Sequence, residues 1–331
     1  MTGFDQVLRD YLVDGAGEGT SAVEAGWSDV RFAPHVLRDV TKVDLEADLL
    51  GTSVRAPFAI APTSLQRAVH PEGDLAMARA CAAEGVLLVV SSNTGTPFAG
   101  ISATGVAWWL QVYLPADRAL AIPLLERAVA AGAGAVVLTV DTPVVGSKRG
   151  PSVWDSVDPS LVRVNFDPGY DDLPGSQKAT DLGPDDIGWL AARTGLPVVV
   201  KGVLRDDDAR RAVDAGVSAV WVSNHGGRQL DRALRTAHAL PAVAREVGGA
   251  VPVYVDGGVR CGLDVLAAVA LGADAAFLGR QPILALEQGE AGVASYLRRL
   301  RDETTEAFRL AGCSDVADTR DVAVVLPPKA L

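Results

Sequence analysis

From Ala56 onward the chain alternates short apolar runs with longer amphipathic stretches, and the rhythm continues almost to the C-terminus. The runs are Ala56 to Pro62, Val86 to Val90, Val106 to Tyr113, Ala135 to Val140, Pro197 to Lys201, Ser218 to Val222, Val251 to Val255 and Asp274 to Leu278. Each is continuous rather than alternating, as a strand covered on both faces should be. Helices are predicted between them over Glu72 to Glu84, Pro97 to Ser102, Ala116 to Ala131, Pro184 to Thr194, Asp206 to Ala215, Arg235 to Val247 and Gly262 to Leu271, with a last one near Gly289 to Ala311. Phe4 to Val13 also has helical spacing, stopped by Asp14-Gly15-Ala16-Gly17. Residues 26 to 55 read as connecting structure, because Trp27, Phe32 and Pro34 break any period.

Eight strand–helix units in this order predict the α/β class, closed economically as a (β/α)8 barrel. The predicted layout is one domain over 1–331, with an N-terminal helical segment at 1–55, the barrel at 56–280 and a C-terminal helical segment at 281–331. The interval Val144 to Leu182, rich in Gly, Pro, Asp and Ser, is too long for an ordinary connection and predicts a lid loop after strand four.

Composition narrows the class. The chain of 331 residues is 49% hydrophobic and only 5% aromatic, with 34 glycines, which suits aliphatic parallel strands and tight turns. A net charge of -11 excludes nucleic acid as a general partner. The three cysteines, Cys81, Cys261 and Cys313, are scattered and odd in number, so neither a disulfide framework nor a metal site is expected. No run of about 18 apolar residues occurs and Met1 to Leu12 carries charges, so a cytoplasmic protein without a membrane anchor is expected.

In a barrel the strand C-terminal ends share one mouth, so Thr63, Ser91, Gln111, Tyr113, Thr139, Asp141, Lys201, Ser223 to Arg228, Asp256 and Arg280 are predicted to converge there. After strand six, Ser223-Asn224-His225-Gly226-Gly227-Arg228-Gln229-Leu230-Asp231 sets a titratable base and a fixed cation three residues apart. Such a pair suits taking a proton from a substrate whose carboxylate the arginine grips, although the same letters also occur in ordinary turns. Asp256-Gly257-Gly258-Val259-Arg260 and Leu278-Gly279-Arg280 offer glycine amides and two arginines where barrels bind phosphate.

These motifs, with Leu138-Thr139-Val140-Asp141-Thr142-Pro143 and Val200-Lys201-Gly202, make the chain resemble the FMN-dependent α-hydroxy-acid oxidase and dehydrogenase family from about Tyr11 to Gly312. The resemblance implies FMN as cofactor and oxidation of an (S)-2-hydroxy acid to the 2-oxo acid, with oxygen or another acceptor taking the electrons onward. It implies His225 as base with Asp141 behind it, and Arg228, helped by Tyr113 or Tyr11, for the substrate carboxylate. Ala61, Pro62, Thr63, Ser91, Gln111, Thr139, Lys201, Ser223, Asp256, Gly257, Gly258, Arg260, Gly279 and Arg280 would hold FMN. Tyr11 read alone is a packing aromatic, and Lys201 read alone is half of an ion pair. A homotetramer or larger assembly is also implied.

Two departures matter. Where the family carries a second substrate arginine, the stretch Gly146-Ser147-Lys148-Arg149-Gly150 aligns Lys148, which keeps the charge but lacks the bidentate fork, with Arg149 available if the loop shifts. Asn93 replaces a large aromatic residue and Ser64 a smaller one, and the segment after strand four is short, so an aryl hydroxy acid such as a mandelate is expected. His35, His70 and His238 read as residues without partners. The alternatives are another FMN barrel enzyme, such as a type 2 isopentenyl diphosphate isomerase, or a non-catalytic FMN-binding protein.

Overall fold

The protein is described from a computed structural model, which covers residues 3–13, 26–146, 152–320 and 322–325. Eight parallel strands form a closed barrel: Phe58–Ile60, Leu88–Ser91, Trp108–Val112, Val136–Thr139, Val198–Val203, Ala219–Val222, Val253–Val255 and Ala275–Leu278. Each pairs with the next in sequence, and the eighth closes on the first through Ala276 beside Phe58 and Leu278 beside Ile60. Closure leaves no exposed edge, so all the continuous apolar runs can be buried.

Alternation along each strand divides the core. Ala59, Val89, Trp109, Val137, Val199, Trp221, Tyr254 and Phe277 fill the barrel interior, while their neighbours pack outward against the helices. Trp109, Trp221, Tyr254 and Phe277 touch one another, with the Trp221 and Phe277 rings 4.0 Å apart. Phe277 also lines the cavity above, so this ring, backed by the other three, forms part of the cavity floor.

Two predicted stretches differ in detail. Residues 26 to 55, expected to be connecting structure, contain a hairpin of Ala47–Leu49 with Thr52–Val54 and a strand Val30–Phe32 that pairs with Ala323–Val325. Leu49 and Val54 join the interior cluster, so apolar burial rather than periodicity orders this segment. The single helix expected over Ala116 to Ala131 starts as a tight turn, Arg118–Ala121, and becomes α-helical only at Ile122–Ala130. Pro123 lacks the amide that an interior position needs, so the α-helix begins there.

The interval after strand four is held without regular structure among its described residues, 152 to 182. It makes short turns at Val153–Asp155, Pro159–Leu161 and Tyr170–Asp172. Arg67 Nη1 donates to Gly95 and Ser160 carbonyls, both at 3.1 Å, and buried Asn165 accepts from Phe98 N at 3.0 Å and donates to Thr96 O at 2.9 Å. Ala116 N to Gln177 O and Ala179 N to Leu114 O sew its other end to strand three. His238 is not partnerless as expected, since Nε2 lies 2.9 Å from Asp29 Oδ2, and His70 Nδ1 accepts from Glu72 N. Among the described residues no helix is long and apolar enough to cross a membrane.

Candidate active site

The strand C-terminal ends surround a cavity of about 760 Å³, within the roughly 300–1,000 Å³ of small-molecule sites. Tyr11, Ala61, Pro62, Thr63, Ser91, Gln111, Tyr113, Thr139, Lys201, His225, Arg228, Asp256, Gly257, Gly258, Arg260, Gly279 and Arg280 all line it. Asp141 and Ser223 stand just behind that wall, each hydrogen-bonded to residues in it. Lys148 lies outside the described residues.

The loop after strand six aims His225 by backbone constraint. Its φ is 55°, uncommon for a side-chain-bearing residue, and its amide is held by Ser223 Oγ at 3.0 Å while Asn224 Oδ1 caps Gly226 N at 3.1 Å. The ring Nδ1 lies 2.8 Å from Asp141 Oδ1, and Nε2 makes no bond to any described residue. Burial alone would raise the Asp141 pKa, but His225, Lys201 and Thr142 outweigh it and hold the carboxyl below its usual range. An ionised Asp141 keeps the proton on Nδ1 and leaves Nε2 as the acceptor.

Gly202 lets Asp141 reach that position. Its φ is 117°, and a Cβ there would come within 2.7 Å of Asp141 Cβ. It also interrupts the register of strands five and six between Lys201 and Val203.

On the opposite wall, Arg228 stacks over the Tyr11 ring at 4.1 Å and donates to the Tyr11 carbonyl, while Arg280 Nε donates to Leu12 O at 3.1 Å. Tyr11 and Leu12 end the helix Gly3–Val13, where carbonyls have no partner within the helix. Two cavity arginines therefore satisfy the helix end and bring Tyr11 to the mouth. Tyr113, also on the cavity wall, holds its proton more tightly than usual through burial, then the charges of Asp141 and Tyr11.

Lys201 is half of an ion pair, as its isolated reading allowed. Nζ lies 3.0 Å from Asp256 Oδ2 and 2.8 Å from Ser223 Oγ, which in turn donates to Asp256 Oδ1 at 2.6 Å. Strand register sets Ser91 beside Gln111 and Thr139 beside Lys201, and Gln111 Nε2 donates to Thr139 Oγ1 at 2.9 Å. Ser91, Gln111, Thr139, Lys201 and Asp256 are all buried at the cavity wall. Across the mouth, Gly257 has φ 89° and a Cβ there would sit 2.6 Å from Asn224 Oδ1, while its carbonyl accepts from Trp27 Nε1 at 2.7 Å and Thr236 Oγ1 at 2.8 Å.

FMN combines a flat ring with polar edges and a phosphate, and this donor set fits it. Buried Ser91, Gln111, Thr139 and Lys201 rim an aromatic floor, and Arg260 and Arg280 stand at the glycine turns. Sequence reasoning missed Thr142, Trp27 and Thr236, and also the lid residues Trp154, Arg163, Phe166, Tyr170 and Lys178 on the outer wall. Thr142 had a signal, its place beside Asp141. Trp27 had none, being 230 residues from the carbonyl it holds.

The model of the family described as FMN-dependent dehydrogenase matches residues 3–325. The chain belongs to that family. Glycolate oxidase 1 of Oryza sativa subsp. indica is 38% identical over 330 residues, covering 95% of this chain and 89% of the relative. L-lactate oxidase of a Nostoc strain is 37% identical over 340 residues, covering 96% and 93%. A solved structure of mandelate oxidase with (S)-4-hydroxymandelic acid superposes with a TM-score of 0.89 at 36% identity, covering 97% of this chain and 95% of that one. Family membership makes the chain an FMN-dependent oxidoreductase, with the cofactor that the cavity fits.

Proposed function

We propose that the protein oxidises an (S)-2-hydroxy acid to the 2-oxo acid, with His225 as the base. One observation carries this reading: His225 is bonded to Asp141 through Nδ1, leaves Nε2 open, and shares the cavity with Arg228. Bound FMN supplies the acceptor for two electrons. Arg228, with the Tyr113 phenol, grips the substrate carboxylate and so presents the neighbouring hydroxyl. His225 Nε2 takes the hydroxyl proton, and Asp141 stabilises the imidazolium that results. Lys201, Ser91, Gln111 and Thr139 orient the cofactor, and Arg260 and Arg280 hold its phosphate. The substrate of an isopentenyl diphosphate isomerase has no carboxylate for Arg228 to bind, which disfavours that alternative.

The substrate within this reading is an aryl hydroxy acid of the mandelate type. Asn93 and Ser64 leave room near the ring site, and Trp154, Phe166 and Tyr170 of the lid give an aromatic outer wall. We also place the protein in the cytoplasm as a homotetramer or larger, which light scattering and cell fractionation would check. The test of function is anaerobic loss of flavin absorbance against a panel of glycolate, lactate and mandelates, followed by oxygen. Mandelates should act fastest, and His225→Ala should keep FMN but lose the response. Equal bleaching by His225→Ala would overturn the assignment of the base.

A further inference from the structure

Thr142 follows Asp141 at the end of strand four, and its side chain is buried. Its hydroxyl donates to Asp141 Oδ1 at 3.0 Å and lies 3.4 Å from His225 Nδ1. Asp141 Oδ1 thus receives both the imidazole and the threonine, while Oδ2 is buried without a hydrogen-bond partner. One oxygen carries all of the carboxylate's hydrogen bonding. We propose that Thr142 is a positioning residue that fixes the Asp141–His225 pair and limits how much negative charge the imidazole feels. The proposal rests on His225 being the base.

The physical argument is a division of one acceptor between two donors. With the hydroxyl in place, part of the charge on Asp141 Oδ1 is taken up by Thr142, and the carboxylate is fixed in rotation against the ring. Without it, the imidazole is the sole donor, the imidazolium is favoured, and the carboxylate is free to turn toward Oδ2. The other charged or titratable groups facing this pair are Lys201, Tyr113, Tyr11 and Arg228. All of them remain in a Thr142 variant, so a change in the His225 titration reports the hydroxyl.

The test uses FMN-loaded protein with Thr142→Val and Thr142→Ala, which lack the hydroxyl, and Thr142→Ser, which keeps it. The chain has only 4 histidines, so imidazole nitrogen resonances of labelled protein follow His225 directly. Both hydroxyl-free variants should retain FMN and move the acid limb of kcat/KM, together with the His225 resonances, to higher pH. Their kcat should fall about fivefold to tenfold with KM nearly unchanged, and serine should restore both readouts. A wild-type titration in the hydroxyl-free variants overturns the proposal. So does an equal change in the serine variant, which would make the threonine methyl the cause. If His225→Ala bleaches normally, the base assignment fails instead, whatever Thr142 does.

Discussion

Replacing Gly202 by alanine tests how the barrel aims His225. The new Cβ would lie 2.7 Å from Asp141 Cβ, 2.8 Å from Cγ and 2.9 Å from N, all rigid stem or backbone atoms rather than a flexible tip. Two penalties add: about 1–3 kcal/mol for a side chain at this backbone geometry and about 1–3 kcal/mol for overpacking. Relief requires Asp141 to retreat by about 0.7 Å, which would stretch its 2.8 Å bond to His225 beyond hydrogen-bond range. Misplacement on that scale costs about 10- to 100-fold in turnover. Urea unfolding should therefore show a loss of about 2–6 kcal/mol, and stopped-flow flavin bleaching at saturating FMN a fall in kcat of that order. Stability within about 1 kcal/mol of wild type, with bleaching unchanged, would refute the claim that this glycine sets the position of Asp141.

Three further changes address other parts of the molecule. Burial pushes the Asp74 carboxyl up from 3.8 to about 6, against the pull of Thr94, Thr96 and Arg67. Its contribution is fully present below pH 4 and lost as pH rises through 6, so Asp74→Asn should gain about 2 kcal/mol more over wild type at pH 7.5 than at pH 4.5 in urea unfolding. Lys201→Met leaves Asp256 buried without its cation and should cost about 3–5 kcal/mol, and adding Asp256→Asn should recover most of that stability in thermal melts without restoring FMN affinity. Trp27→Phe removes one of two donors to the Gly257 carbonyl and should weaken FMN retention about fivefold, read from flavin fluorescence on release.

The barrel was legible because each strand is an unbroken apolar run and each run ends in a polar residue. Closure then does the rest, since Thr139 and Lys201 become neighbours through register alone. What sequence could not convey are bonds without a period. Asn165 holds the lid by serving two backbone groups in place of a strand, and nothing in its neighbourhood announces it. The hairpin around Leu49 and Val54 is three residues to a strand, too short to alternate visibly. Asp141 and Thr142 lay within a recognised motif, but only geometry shows that both share one carboxylate oxygen with the imidazole.

The helix Gly3–Val13 ends on two arginines that also face the cavity, and that sharing has an energetic consequence at a distance. Any anion that draws Arg228 or Arg280 inward alters the helix anchor, and any change in the helix alters the pull on the anion. By reciprocity the two events are linked in free energy, so occupancy of the cavity should appear as altered protease resistance of residues 3–13. The first turns of the chain thereby act as a gauge of what the barrel holds.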